Sequence, residues 1–560
     1  MTGSDALLDA LVAQGVEVIF GNPGSTELPL LDALARPGAP RFVLGLTEPA
    51  VIGMADGYAQ ASGRLGVALV HVQPGMANAM SGVLNAARAR VPLLVIVGQQ
   101  LSSMLPGAPF LGGEIVGMAR PIARYAEEVE VPAALGPMLH DAVAAALGPP
   151  AGPAILSVPL ETQAGPSGAL LPLPGCSAVP PAPDPSALDA AAALLLAAKE
   201  PAILAGDGVA HCGAEGALAA LAARLGAPVL GEPFAARVPV ATDDPMWAGP
   251  LPRFASGIHR VLQHHDVLLI LGMPVFRLFG WSPGSPLPPG VRLIHADVDP
   301  DEVGRSHPPD VGIVAAPDRV IAGIEARLGP PDHEAARRRD RVAGGLRTAR
   351  VDERAALDAR ASHGTVISGA ALSLAMGRVI GPDDLLVDEG LTATRDLRVA
   401  LGPRRIGSVL WHRGSALGWG LPAAVGAALS DPSRRVVCVQ GDGSLVFGVP
   451  ALWSAVHAGC RLALVVGDNA GYEILRAGME GLTGRPEGGW PGLAITEPPL
   501  DLVSISRGFG ASAERVSAAA DLDDAMADLM RRSDHGPAVL VAGVEGRTPA
   551  IGGPLDYALT

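Results

Sequence analysis

Two short polar segments, each directly after an apolar run, could together hold a metal-bridged diphosphate. The segment Gly441-Asp442-Gly443-Ser444 follows the run VVCVQ, and Asp468-Asn469-Ala470-Gly471-Tyr472 follows the run LALVVG. Glycines let the backbone approach a phosphate closely, a helix N-terminus stabilises the anion, and side-chain oxygens at neighbouring strand ends can ligate a hard cation. Each segment alone is also ordinary turn chemistry, and Asn469 could be a loop cap. Together they favour a site in which Asp442 and Asn469 share one metal ion.

Three polar residues in the first part of the chain are candidates for proton transfer and anion binding. Ser25 closes the turn GNPGS, Glu48 follows an apolar run in GLTEPA, and His71 follows the run GVALV. Each also has an ordinary structural explanation. Ser25 could cap a helix that begins at Glu27, Glu48 could stabilise a helix N-terminus, and His71 could be a hydrogen-bonded strand-end histidine. The residues alone leave both explanations open.

The composition excludes several classes of protein. The 560 residues carry 41 Lys and Arg against 56 Asp and Glu, a net charge of −15, which is the wrong sign for neutralising a nucleic acid backbone. An anionic substrate therefore needs a local cationic or dipolar site. With no basic leader before an apolar run and no apolar stretch of about 20 residues, we expect a cytoplasmic protein that does not enter a membrane. The four cysteines form no CxxC pair and are expected to be buried thiols: Cys176, Cys212, Cys438 and Cys460.

Short apolar runs alternate with helical patterns along the chain, which predicts an α/β fold whose parallel strands are buried on both faces. The predicted strands are 16–20, 42–45, 67–72, 93–97, 202–205, 229–231, 267–271, 291–297, 385–387, 436–440, 462–466 and 538–541. Their grouping predicts three doubly wound parallel-sheet domains in series, over residues 1–171, 186–331 and 361–545. A Pro-rich linker (172–185) and a charged, solvated helix (332–360) are predicted to separate these domains.

The two polar segments resemble the diphosphate-binding motif of thiamine-diphosphate-dependent enzymes, which begins with GDG and ends at an Asn pair, here Asp468-Asn469. The resemblance extends over essentially the whole chain. It is greatest to the benzoylformate decarboxylases within the thiamine-diphosphate-dependent decarboxylase family, and weaker to the acetolactate synthases at residues that face the substrate. The segments that carry it are FGNPGSTELPLL, ADGYAQASGR, GMPVFR, ALGWGLPAAVGAAL and GDGSLVFGVPALW.

The resemblance implies a role for each candidate residue. Glu48 would hydrogen-bond the aminopyrimidine ring of the cofactor and so activate thiazolium C2, Ser25 would bind the substrate carboxylate, and His71 would relay protons. The metal, Mg²⁺ or Ca²⁺, would be held by the side chains of Asp442 and Asn469 and by the carbonyl group of Gly471. The other expected cofactor contacts are Thr392, the carbonyl group of Ser415, Leu417, Gly441, Gly443, Ser444 and Tyr472.

Several residues depart from the pattern of the benzoylformate decarboxylases. Phe279 occupies the position of a second histidine, Leu391 that of a hydroxyl residue, and Asp468 that of the first Asn of the pair. Ile474 replaces a small residue and Gly478 an aromatic one. The substrate pocket therefore has a different shape, and its predicted members are Ser25, His71, Phe279, Ile474 and Gly478.

The function that the resemblance implies is the non-oxidative decarboxylation of a benzoylformate-like 2-oxo acid to an aldehyde, with some carboligation onto an acceptor aldehyde. The domains would then be pyrimidine-binding, dinucleotide-type and diphosphate-binding, in chain order. The family is also expected to form a homodimer or homotetramer in which Glu48 of one chain faces Asp442 of another. The alternatives are a carboligase of the acyloin or acetolactate synthase type, a flavin-containing oxidase relative, and a noncatalytic subunit.

Overall fold

A computed structural model of the chain describes residues 1–170, 180–330, 332–361, 365–414, 416–485 and 489–546. Within them lie three six-stranded sheets in which all strand pairs are parallel and helices cover the faces. The predicted fold class is confirmed. Part of the predicted linker, residues 172–179, lies outside the described residues. No helix in the described ranges combines the length and the apolar character that crossing a membrane requires.

The first sheet has the strand order β2-β1-β3-β4-β6-β5. Its strands are β1 (Val18–Asn22), β2 (Arg41–Leu44), β3 (Gly66–Val70), β4 (Leu93–Gln99), β5 (Tyr125–Glu128) and β6 (Pro153–Pro159). Its helices are α1 (Gly3–Ala13), α2 (Leu28–Leu34), α3 (Glu48–Ser62), α4 (Val72–Arg88), α5 (Val116–Ala119), α6 (Leu135–Leu147) and α7 (Leu160–Ala164). The strand order reverses between β1 and β3, which opens a crevice at the carboxyl ends of these strands.

The second sheet has the order β12-β11-β10-β7-β8-β9 and its own apolar core. Its strands are β7 (Pro201–Ala205), β8 (Val229–Gly231), β9 (Trp247–Pro250), β10 (Val267–Leu271), β11 (Arg292–Asp297) and β12 (Val311–Val314). Its helices are α8 (Pro185–Ala197), α9 (Asp207–His211), α10 (Glu215–Leu225), α11 (Ala255–Leu262) and α12 (Pro317–Glu325). The charged segment that follows is α13 (His333–Ala361), in which only Ala335 and Leu357 are buried.

The third sheet has the order β14-β13-β15-β16-β18-β17, so its crevice lies between β13 and β15. Its strands are β13 (Leu385–Glu389), β14 (Val409–Trp411), β15 (Val436–Gly441), β16 (Leu462–Asp468), β17 (Ser512–Val516) and β18 (Ala538–Gly543). Its helices are α14 (Gly369–Val379), α15 (Leu397–Ala400), α16 (Gly420–Ser430), α17 (Asp442–Gly448), α18 (Ala451–Ala458), α19 (Glu473–Thr483), α20 (Leu502–Gly508) and α21 (Leu522–Ser533).

The first and third domains share one apolar core because α3 and α16 pack face to face. Glycines make this contact possible. A Cβ atom on Gly57 of α3 would lie 2.0 Å from the carbonyl oxygen of Ala423, and one on Gly426 of α16 would lie 1.8 Å from that of Met54. Any larger residue would separate the two helix backbones, so this packing fixes the first crevice relative to the third.

Candidate active site

The predicted proton-transfer residues lie together at the carboxyl edge of the first sheet. Ser25, Glu48 and His71 follow the neighbouring strands β1, β2 and β3, whose last residues pair in register. Ser25 begins a 3₁₀ turn (Ser25–Glu27), is exposed, and caps no helix with its side chain. The capping explanation for Ser25 is therefore wrong, and its hydroxyl group is available to a ligand.

A buried carboxylate that the sequence analysis did not identify holds the imidazole ring of His71. Glu27 is fully buried, and its Oε2 lies 2.8 Å from His71 Nδ1. The same carboxylate accepts hydrogen bonds from the Gly24 N–H group, at 2.6 Å, and from the Thr26 hydroxyl group. When the Glu27 carboxylate accepts a hydrogen bond from the neutral imidazole ring, Nδ1 carries the hydrogen and Nε2 is left as the acceptor. The signal in the sequence was a Glu three residues after the turn glycine Gly24, a typical position for capping.

Glu48 is the first residue of α3, after Thr47 at the N-cap position, and is half-buried. Its Oε2 accepts a hydrogen bond of 3.2 Å from the side-chain amide of Asn78 on α4. The second carboxylate oxygen makes no hydrogen bond with the described residues. Glu48 therefore presents one unoccupied oxygen at the same edge of the sheet as His71.

The predicted metal ligands lie together at the carboxyl edge of the third sheet. Strands β15 and β16 are hydrogen-bonded neighbours with Gly441 opposite Gly467, so the residues that follow them are adjacent. The Asp442 carboxylate accepts hydrogen bonds from the N–H groups of Gly443, at 2.8 Å, and Gly471, at 3.0 Å. Burial, followed by the nearby Asp468 carboxylate, raises the pKa of Asp442 to about 6, and the two N–H groups oppose this shift. A buried anion of this kind is stabilised by a cation.

The polar atoms around Asp442 fit a metal-bridged diphosphate. Asn469 Oδ1 and Ser444 Oγ are both buried, and neither has a hydrogen-bond partner in the described part of the chain. Unsatisfied buried oxygens are costly, so these two atoms indicate a ligand at this edge. Gly443 is required here because a Cβ atom would come within 2.7 Å of the ring of Tyr472.

Asp468, which replaces an Asn of the family pattern, is bound within the loop itself. Its Oδ1 accepts a hydrogen bond of 3.1 Å from the Ala470 N–H group, and its Oδ2 lies 2.7 Å from Arg515 Nη1 on β17. The loop then turns at Ala470, whose φ is +54°. The substituted carboxylate thus stabilises the turn that carries Asn469 and Gly471.

A cavity of about 1100 Å³ opens between the second and third domains. Among the predicted site residues, Phe279, Thr392, Leu417 and Ile474 line it, and so does Leu391. Gly478 lies one helical turn after Ile474 on α19, and Ser415 lies outside the described residues. Ser25, Glu48 and His71 do not line this cavity, and no hydrogen bond among the described residues joins them to the Asp442 loop. A single chain therefore carries the two groups at separate edges.

The structure adds charged residues near this cavity that the sequence analysis missed. The buried Glu389, at the end of β13, accepts hydrogen bonds from the N–H groups of Gly418 and Gly420 and from the side chain of Gln440. Burial raises the pKa of Glu389 to about 7. In the sequence, the Asp-Glu pair at the end of the run LLVDE could have indicated Glu389.

Arg413 forms ion pairs with Asp207 and Glu232 of the second domain, which only the tertiary structure brings near it.

The chain is similar to known proteins over most of its length. Three family models match the chain: "Thiamine pyrophosphate enzyme, N-terminal TPP binding domain" over residues 1–114, the central domain of that enzyme over 188–324, and its C-terminal TPP binding domain over 397–542. Benzoylformate decarboxylase from Pseudomonas aeruginosa is 32% identical over 94% of this chain and 96% of its own length. An acetolactate synthase large subunit from Parasynechococcus marenigrum is 27% identical over 92% and 84% of the two chains. The solved structure of a 4-hydroxybenzoylformate decarboxylase from Rhodococcus jostii matches with a TM-score of 0.84 and 27% identity, over 97% of this chain and 99% of that one.

Proposed function

The chain belongs to the thiamine pyrophosphate enzyme family, and from this premise we propose that it is a lyase that decarboxylates a benzoylformate-like 2-oxo acid to an aldehyde. The observation that carries the proposal is the buried Glu27 carboxylate against His71 Nδ1. This carboxylate orients His71 for proton transfer at the same sheet edge as Glu48 and Ser25. Release of an aldehyde requires such a group, because the carbon that loses carbon dioxide must gain a proton.

Asp442, Asn469 and the carbonyl group of Gly471 are the proposed ligands of Mg²⁺, which would bridge them to the diphosphate of the cofactor. Support comes from the unpartnered Asn469 Oδ1 and from the raised pKa of Asp442, because both make a cation favourable there. Thr392, Leu417 and Tyr472 would complete the cofactor site. When bound, thiamine diphosphate supplies the electron sink for cleavage of the bond next to the substrate carbonyl group.

The proposed roles of the first-sheet residues follow from their hydrogen bonds. Glu48 would hold a proton on its unoccupied carboxylate oxygen opposite the pyrimidine ring of the cofactor, while Asn78 orients the other oxygen. The exposed Ser25 hydroxyl group would bind the substrate carboxylate. His71, with Nδ1 held by Glu27, would move protons at Nε2, and a placed side chain of this kind contributes ~10²–10⁴-fold to rate.

A complete site is proposed to form between two chains, in a homodimer or homotetramer. Two observations support this. The Glu48 and Asp442 groups occupy different edges of one chain, as described above, and helix α17, which begins at Asp442, exposes the apolar side chains of Val446 (45% exposed) and Phe447 (57% exposed). Apolar side chains beside a half-site are typical of a subunit interface.

Carboligation is the second candidate function, favoured by the surroundings of Phe279. Its ring lies 6.5 Å from that of Phe234 and 5.7 Å from that of Phe254, in the cavity that Leu417 and Thr392 line. These aromatic side chains cannot protonate the product carbon. Slow protonation would leave time for an acceptor aldehyde to be joined, in line with the acetolactate synthase among the relatives.

A panel of 2-oxo acids tests the proposal. The protein is saturated with thiamine diphosphate and Mg²⁺, and carbon dioxide release and product mass are measured with and without an acceptor aldehyde. We expect aldehyde formation that needs both additions and fails in exhaustively dialysed protein with chelator. If no 2-oxo acid in the panel loses carbon dioxide while the cofactor is bound, the lyase assignment is wrong. If the only products are 2-hydroxy ketones, carboligation is the main activity.

A further inference from the structure

The cavity between the second and third domains is strongly cationic in a chain whose net charge is −15. Among the described residues, seven arginines and three carboxylates line it. Among them, Arg277 pairs with Glu302, and Arg413 pairs with Asp207 and Glu232. The cavity therefore concentrates positive charge where the chain as a whole is negative, and concave surfaces of one sign attract ligands of the other.

Arg253 and Arg398 supply two of the positive charges that line the cavity. Neither guanidinium group makes a hydrogen bond or an ion pair with the described part of the chain. Each instead stacks on an aromatic ring, with Arg253 Cζ 5.3 Å from the centre of Phe234 and Arg398 Cζ 3.9 Å from the centre of Trp411. Stacking fixes the position of a guanidinium group and leaves its N–H donors available.

The other two carboxylates that line the cavity, Asp388 and Glu389, accept hydrogen bonds from groups other than these arginines. Asp388 accepts hydrogen bonds from the Gly390 N–H group and the Thr394 hydroxyl group, and Glu389 is held by backbone and amide donors of its own domain. Burial, and to a lesser extent the neighbouring Arg253, lowers the pKa of Arg398 to about 10, although Asp388 opposes this shift. Burial and, less strongly, Arg395 also lower the pKa of Arg253, although Asp388 opposes this shift, and neighbouring arginines of this kind are stabilised by a bound anion.

The cofactor does not account for these arginines. Two proposed cofactor contacts, Thr392 and Leu417, line the cavity, but the glycine loop at Asp442 and the ligand Asn469, which would hold the diphosphate and its metal, do not. A divalent ion at that loop would also offset the diphosphate charge. The reacting carboxylate of a 2-oxo acid carries one charge and is assigned to Ser25. Arg253 and Arg398 carry two positive charges, and Asp388 is the carboxylate that acts on both of them. An additional anionic group would match the remaining positive charge.

We propose that the cavity binds the distal end of the substrate, and that the substrate is a 2-oxo acid with a second anionic group, carboxylate or phosphate, at the far end of its tail. This deepens the proposed function and rests on it. Arg253 and Arg398 bind the distal anion. Phe279, whose N–H group donates to the Arg253 carbonyl oxygen at 2.9 Å, and Phe234 form the apolar wall along the tail.

Matched pairs of substrates test the distal anion. The pairs are 2-oxoglutarate with 2-oxopentanoate, and 4-carboxybenzoylformate with 4-methylbenzoylformate. In each pair a distal carboxylate replaces a methyl group of similar size. The holoenzyme should prefer the dianion at least tenfold in kcat/KM, and added salt should reduce this preference. A third arm, 4-phosphonooxybenzoylformate, distinguishes phosphate from carboxylate by which of the two gives the higher kcat/KM. Equal or better turnover of the monoanions overturns the inference and leaves the proposed function intact.

Substitutions of Arg253 and Arg398 test whether these two residues cause the preference for the dianionic substrate. Arg253→Gln and Arg398→Gln should each lower the ratio of dianion to monoanion kcat/KM about tenfold, the effect of one charge-assisted hydrogen bond. Arg398→Lys should recover part of the ratio, because the charge remains. Arg531→Gln is the matched control, since Arg531 is 70% exposed on the surface of α21. An unchanged ratio in both Gln variants, with wild-type circular dichroism, overturns the assignment.

A binding measurement separates this inference from the decarboxylase proposal. Calorimetric titration of the cofactor-loaded protein with terephthalate and with benzoate requires no turnover. Terephthalate should bind at least tenfold more tightly in the wild type, and the difference should disappear in Arg398→Gln. If no 2-oxo acid reacts but this difference is found, the lyase assignment fails and the anion site stands. If the two acids bind equally, the distal-anion inference is wrong.

Discussion

Replacement of Glu27 by Gln should keep His71 in the protein but remove the carboxylate that orients its imidazole ring. In the native protein the Glu27 carboxylate accepts from three donors, the Gly24 N–H group, the Thr26 hydroxyl group and His71 Nδ1. An amide has one acceptor oxygen and one NH₂ group. It therefore cannot accept all three bonds, and at least one donor must lose its partner or face another donor.

The cost of Glu27→Gln can be estimated from these contacts. A buried hydrogen bond to a charged group contributes ~1.5–3 kcal/mol, so the free energy of unfolding should fall by roughly that amount. If the NH₂ group faces Nδ1, the imidazole places its hydrogen on Nε2 and loses the acceptor that moves protons. The rate should then fall by up to ~10²–10⁴-fold, the usual contribution of general acid–base catalysis.

The assay measures kcat and KM over a range of pH, together with cofactor affinity and urea unfolding. A positioning role for Glu27 predicts a lower kcat, near-normal cofactor affinity, and a change in the pH profile of kcat/KM. Asp32→Asn, at an exposed position on α2, is the control and should match the wild type. The reasoning is refuted if Glu27→Gln keeps kcat within twofold of the wild type and an unaltered pH profile.

Four further predictions test the other groups. Asp442→Ala should lower affinity for Mg²⁺ and thiamine diphosphate in calorimetry because it removes the anionic ligand, and full activity of the variant in chelator would contradict this. Glu48→Gln should keep the fold and cofactor binding but lose most turnover, and mixing it with Asp442→Ala subunits should restore some activity; a fully active monomer in sedimentation would exclude the shared site. Phe279→His should shift products toward free aldehyde at fixed acceptor concentration, because histidine can donate a proton, whereas His71→Ala should impair both outcomes; an unchanged ratio would make Phe279 a pocket wall only. The pKa of Glu389 is raised from 4.5 to about 7, so the stability that it contributes is fully present below pH 4.5 and is lost as pH rises through 7. The free energy of unfolding of the wild type should therefore fall by up to ~1.4 kcal/mol per pH unit more than that of Glu389→Gln in this range, and parallel urea-unfolding curves would refute it.

Continuous apolar runs made the central strands predictable from the sequence. Strands β8 and β10 match their predicted bounds, because a parallel strand covered by helices on both faces is apolar at every position. The edge strands β9 (WAGP) and β17 (SAERV) were missed, since a half-covered strand mixes polar and apolar residues and resembles a loop. Strand β6 was missed although it is fully buried, because prolines and glycines surround it.

The sequence by itself also placed Asp442 and Asn469 together, because consecutive parallel strands are commonly neighbours and their carboxyl ends share an edge. Only the tertiary structure shows which other side chains lie beside the residues at these strand ends. Glu27 meets His71 only because β1 and β3 pair across the switch in strand order, and Arg253 meets Arg398 only because the second and third domains close on one cavity. Local spacing encodes which residues follow a strand. Which side chains meet is decided by packing between strands and domains that are distant in the sequence, since burial of their apolar faces sets that geometry.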